Sequence, residues 1–229
     1  MQLNPITDVF FDLDHTLWDF DKNSKLAFFF LFKKHQINLE LDTFLTHYEA
    51  INDQYWKLYR EDKINSEDLR FHRLKDTFTA INRSVSDPMI HALSLEYLEN
   101  LTTHNHLIDG ALDVLEYLKP KYKLHIITNG FDHIQSKKIK GSGIENYFTH
   151  IITSEAAGVK KPNPKIFEYA VTAAGSKPNQ SMMVGDNLEA DILGALDFGM
   201  QAVFFNPKEP NFELKTLEIN HLGLLKKHL

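Results

Sequence analysis

The chain contains no cysteine, which excludes disulfides, thiolate metal ligands and a cysteine nucleophile. It also lacks a long apolar run. The most hydrophobic stretch, 26–32, is seven residues long and ends in Lys33-Lys34, whereas a membrane helix needs about 20; a buried helix face suits it better. The first residues, Met1-Gln2-Leu3-Asn4-Pro5, show no basic segment followed by an apolar one, so no signal peptide is expected. Basic excess is missing as well. Lys and Arg total 25 against 31 Asp and Glu, a net charge of -6, which argues against nucleic-acid polymers and membrane surfaces as partners. The 12 histidines are scattered without the spacing of a zinc site. What is left is an ordinary composition, 43% hydrophobic and 24% charged in 229 residues, enough for one large domain or two small ones. The expectation is a cytoplasmic protein acting as a monomer or small homo-oligomer.

The chain declares itself at Phe10-Phe11-Asp12-Leu13-Asp14-His15-Thr16. Val9 to Phe11 is the short apolar run of a buried parallel strand. Two carboxylates follow where that strand would end, and Asp12 and Asp14 point the same way if the chain stays extended. Like charges that close repel unless a cation or proton separates them. Open α/β sheets bind their ligands outside such strand ends.

Between about residues 20 and 105 no strand is evident and four helices are expected, at 23–35, 43–60, 66–81 and 86–101, the last opened by Ser86-Asp87-Pro88. After Gly110 strand and helix alternate. Helices are expected at 111–118, 131–140, 164–174 and 189–198, strands at 124–127, 150–153, 182–184 and 201–205, and a last short strand and helix within 218–229. Single helices between strands imply a parallel sheet with right-handed crossovers. The helical block then reads as an insertion at the carboxyl end of the first strand, a lid over the expected site.

Four polar motifs each follow an expected strand: Asp12-x-Asp14-x-Thr16, Thr128-Asn129-Gly130, Lys160-Lys161-Pro162, and Gly185-Asp186-Asn187 with Asp191 beyond. Together they offer carboxylates for a hard cation, donors for an anion and a lysine, the inventory of phosphoryl transfer. Carboxylates and water suit Mg²⁺. Singly, each motif has a plainer explanation: a turn, a helix cap or a solvated helix residue. His15 reads as structural or as a wall of the site.

In type and order these four motifs resemble those of the haloacid dehalogenase superfamily of phosphatases, and the resemblance covers essentially the whole chain. It implies an α/β fold: a Rossmann-like, three-layer parallel-sheet core (1–17 and 107–229) with an inserted all-α helical cap (18–106). It further implies Asp12 as nucleophile, forming an aspartyl-phosphate, and Asp14 as general acid, then base. Asp12, the backbone carbonyl of Asp14 and Asp186 would hold Mg²⁺, with Asp191 and Asn187 behind them. Thr128 and the Asn129 N–H would grip phosphate, and a lysine would neutralise the developing charge. The family's lysine directly precedes proline, which favours Lys161 over Lys160.

The founding dehalogenases lack the second aspartate, which this chain has. Its opening residues, through Trp18-Asp19-Phe20-Asp21, are similar to a branch of bacterial 5'-nucleotidases that prefer pyrimidine nucleoside monophosphates. A phosphorylated metabolite, a nucleotide above all, is therefore the expected partner. Trp18 or Phe20 either lines a nucleoside pocket or packs the hinge. Tyr55, Trp56, Tyr59 and Phe71 are candidates for stacking on a base but are expected mostly in helix–helix contacts, and Lys57, Arg60 and Arg73 on a solvated face. The rival readings are a sugar-phosphate phosphatase or phosphomutase of the same fold, and a catalytically idle interaction protein. Retaining clustered like charges argues against the idle one.

Overall fold

The computed structural model describes residues 5–207 and 216–229; residues 1–4, part of the stretch read above for a signal peptide, lie outside them. The chain divides into two compact units, one taking Met1–Phe20 and Asn105–Leu229, the other Asp21–His104.

Among the described residues the first unit is built on six parallel strands, β1 (Asp8–Phe11), β2 (Lys123–Thr128), β3 (Phe148–Thr153), β4 (Ser181–Gly185), β5 (Gln201–Phe205) and β6 (Leu217–Ile219). Their order across the sheet is β3-β2-β1-β4-β5-β6. β1 is fully buried, as its unbroken Val-Phe-Phe run requires, with Phe10 opposite His125 on one side and Met183 on the other. On one face Phe10, Ile127 and Met183 pack with Ile166, Phe167 and Ile192. The strand order reverses between β1 and β4, and at such a reversal the chain diverges from the carboxyl strand ends and leaves a crevice. Both carboxylate motifs, after β1 and after β4, open on it.

The second unit contains α1 (Phe20–Lys34) from Asp21 onward, α2 (Leu41–Arg60), α3 (Ser66–Ala80) and α4 (Asp87–Leu101). Its core is aromatic: Phe28 stacks on Tyr97 at 4.4 Å and meets Phe44 and Tyr48 edge-on. α3 starts from a capping box, with Asn65 accepting the Glu67 and Asp68 N–H groups while Asp68 accepts from Asn65. The start expected at Asn23-Ser24 lies inside α1, because Ser24 spends its hydroxyl on Tyr97, 2.8 Å away, rather than on a cap. Arg73 is a correction. Instead of a solvated face it occupies the core, 1% exposed, over the rings of Tyr48 and Tyr97, with Nη1 donating to Asn52 at 2.9 Å.

The rest of the first unit supplies α5 (Ala111–Leu118), α6 (Asp132–Gly141), a short α7 (Ser154–Ala157), α8 (Pro164–Ala174) and α9 (Gly194–Phe198). The helix expected at 189–198 begins instead as a wide π-helical turn over Leu188–Leu193. No helix among the described residues is long and apolar enough to cross a membrane.

Candidate active site

β1 ends at Phe11, and the chain then turns on itself, with the Leu17 and Trp18 N–H groups both donating to the Leu13 carbonyl. His15 takes a left-handed conformation (φ 61°) inside that turn. The Asp12 N–H still donates to the Val184 carbonyl at 2.9 Å, continuing the ladder past Phe11, and the left-handed residue falls beyond Asp12 and Asp14. Their carboxylates have separate partners.

Asp12 faces Lys161. The ammonium donates to Asp12 Oδ1 at 2.5 Å and to the Ile127 carbonyl at 2.6 Å, and forms an ion pair with Asp191 Oδ1 at 2.7 Å. Of the two adjacent lysines, Lys161 is the one that reaches Asp12, and at 2% exposure it is shut away from water. Asn129 holds that loop: its side chain accepts the Lys161 N–H at 2.8 Å and donates to the Lys161 carbonyl at 3.0 Å. Burial would push the ammonium down, but the charges of Asp12 and Asp191 outweigh it and keep it above the ordinary lysine range.

Oxygens of Asp12, Asp186 and Asp191 lie within 4.8 Å of one another. Burial pushes the Asp12 carboxyl well above the usual range, with Asp191 and Asp186 adding repulsion against the pull of Lys161. Burial and the charge of Asp191 likewise raise Asp186 to about 8, although Thr16 donates to it at 3.1 Å. Three carboxylates around one ammonium leave negative charge that a hard dication would neutralise, and oxygens on opposite sides of a Mg²⁺ ion stand about 4.2 Å apart. The donor set fits such an ion. Asp191, expected behind the site, has its carboxylate within the cluster. The π turn brings it back, with Asp191 Oδ2 accepting the Asn187 N–H at 3.1 Å while the Asn187 side chain caps Ala190 at 2.8 Å. Gly185 is needed beneath it, since a Cβ there would meet Asp191 Oδ2 at 2.3 Å.

Thr128 ends β2 beside this group. Its hydroxyl oxygen accepts from the Gly130 N–H at 3.1 Å and from Gln135 Nε2 at 2.7 Å. With both lone pairs engaged, the hydroxyl hydrogen is left to donate to an anion. Asp14 sits apart from the acidic cluster, its Oδ2 held by Gln135 at 2.9 Å and its Oδ1 by Lys138 at 2.6 Å. Sequence reading passed over Gln135 and Lys138. Their three-residue spacing on a mostly polar helix looks like a solvated face, and only burial distinguishes them, at 0% and 3% exposed. Trp18 is completely buried beneath the Lys138 ammonium, 4.4 Å from its ring, so its indole offers no open face to a nucleoside in this structure. Phe20 stays partly exposed against the His15 ring at 4.8 Å.

The chain is 32% identical over 200 residues to the pyrimidine 5'-nucleotidase YjjG of Escherichia coli (strain K12), covering 86% of this chain and 85% of that one. It is 33% identical over 226 residues to a glyceraldehyde 3-phosphate phosphatase of Methanothermobacter thermautotrophicus, covering 94% and 92%. The solved structure of the putative HAD-hydrolase YfnB from Bacillus subtilis, bound to magnesium, superposes with a TM-score of 0.89 at 29% identity over 99% of both chains. The model of the haloacid dehalogenase-like hydrolases matches residues 8–199. The chain belongs to the haloacid dehalogenase-like hydrolase family.

Proposed function

We propose that this chain is a Mg²⁺-dependent phosphomonoester hydrolase working through an aspartyl-phosphate on Asp12, with pyrimidine nucleoside 5'-monophosphates as substrates. The observation that carries the reading is the buried Asp12–Lys161 pair beside Asp186 and Asp191 at the β1/β4 reversal. In the first step an Asp12 oxygen forms a bond to phosphorus as the ester P–O bond breaks, and Asp14 gives its proton to the departing oxygen. In the second, water attacks the same phosphorus, Asp14 takes the water's proton, and inorganic phosphate leaves Asp12. Thr128 and the Asn129 N–H hold phosphate oxygens, and Lys161 offsets charge on Asp12 and on the transferring group. Asp12, the Asp14 main-chain carbonyl and Asp186 would hold Mg²⁺, with Asp191 and Asn187 fixing their arrangement. When bound, the ion supplies positive charge that lets a phosphate dianion approach a carboxylate.

The relative named for pyrimidine nucleotides supports the substrate assignment. A second reading, a sugar-phosphate phosphatase, draws on the glyceraldehyde 3-phosphate phosphatase at 33% identity. Phosphate release from UMP, dUMP and dTMP, measured against glyceraldehyde 3-phosphate with Mg²⁺ present, decides between them. Faster turnover of the nucleotides is the expected result; faster turnover of the sugar phosphate overturns the nucleotidase reading.

A further inference from the structure

Gln135 and Lys138 are three residues apart on α6 and share one of its faces. Polar side chains this deeply buried need partners that justify the loss of water. Here those partners are residues of the site. Lys138 donates to one oxygen of Asp14 and Gln135 to the other, and the second amide hydrogen of Gln135 goes to Thr128. The ammonium of Lys138 also lies 4.4 Å from the Trp18 ring and 5.4 Å from that of Phe20, whose faces attract a cation. Gly130 leaves room for the amide to lie close: a Cβ there would come within 2.4 Å of Gln135 Cδ and Nε2.

We infer that Gln135 and Lys138 form a clamp that positions the Asp14 carboxyl for its two proton transfers and, through Gln135, turns the Thr128 hydroxyl hydrogen toward phosphate. Both are positioning residues that act through Asp14 and Thr128. Trp18 then serves the clamp by seating Lys138, rather than by stacking on substrate. The inference rests on the phosphatase reading above.

The test compares the wild-type enzyme with Lys138→Met, using a nucleotide and an aryl phosphate with Mg²⁺. An aryl leaving group departs with little help from an acid, whereas a nucleoside needs the proton. Losing the clamp should therefore lower kcat on UMP by about 10–100-fold, the range seen when outer partners of site residues are removed, with KM changed less than threefold. On p-nitrophenyl phosphate the variant should show a burst of one nitrophenol per enzyme followed by slow turnover, because the second step still needs Asp14. A merely structural role would lower the folded fraction without creating a burst. Gln135→Met gives the same readouts should Lys138→Met melt below the assay temperature, with KM for phosphate esters rising as well through Thr128. Wild-type kcat and no burst in the folded variants would overturn the clamp. A wild-type enzyme that hydrolyses neither ester would instead overturn the phosphatase reading.

Discussion

Replacing Lys161 by methionine keeps the length of the side chain and removes its charge from among three carboxylates. In the wild type the ammonium is 2% exposed, donates to Asp12 and the Ile127 carbonyl at 2.5–2.6 Å and pairs ionically with Asp191 at 2.7 Å. Breaking a buried ion pair on one side costs about 3–5 kcal/mol, because the other side is left charged and dry. For a chain of this length each kcal/mol moves the melting temperature by about 2–4 °C, so Lys161→Met should melt about 6–20 °C lower. Because burial pushes Asp12 and Asp186 toward protonation, the loss should grow as pH rises and these carboxyls ionise. Scanning calorimetry in EDTA at pH 8 measures it, with Lys160→Met, at the neighbouring half-buried position, as the reference. That variant should cost less than about 1 kcal/mol. Equal melting temperatures for the two variants, or a larger loss for Lys160→Met, would refute the placement of the charge.

The metal-free protein should lose stability as pH rises from about 4 to about 8. Folding raises Asp12 and, to about 8, Asp186, so the folded state holds protons across that window that the unfolded chain has released. Saturating Mg²⁺ should flatten the slope, and a metal-free profile that climbs through the window contradicts the cluster's electrostatics. Gly185→Ala should cost about 1–3 kcal/mol by overpacking and weaken Mg²⁺ binding in titration calorimetry, since the added carbon would meet Asp191 at 2.3 Å; unchanged binding would count against it. Arg73→Met should leave the urea midpoint unchanged or raise it, because Nε and Nη2 of the buried arginine have no hydrogen-bond partner among the described residues. A loss above about 2 kcal/mol would show that the two tyrosine rings compensate the charge.

The strand and helix rhythm was readable because buried parallel strands leave short apolar runs, and Val9-Phe10-Phe11 and Met182-Met183-Val184 both do so. The four polar motifs were readable because each follows such a run. What the sequence hid depends on burial rather than on residue type. Arg73, Gln135 and Lys138 look like surface residues until the fold encloses them. The separate partners of Asp12 and Asp14 were hidden as well, since Lys161 comes from a loop after β3 and Gln135 and Lys138 come from α6. For Trp18 the sequence left nucleoside pocket and hinge packing both open, because aromatic residues near a site serve either purpose; the structure buries it completely.

The central claim is that Asp12 carries the phosphoryl group. Mixing the enzyme with substrate and Mg²⁺, quenching in acid within the first turnover and mapping the phosphorylated peptide tests it directly. The account predicts one phosphoryl group on the peptide containing Asp12, and a folded Asp12→Asn variant with neither label nor turnover. Turnover by Asp12→Asn, or a label on another residue, would contradict it.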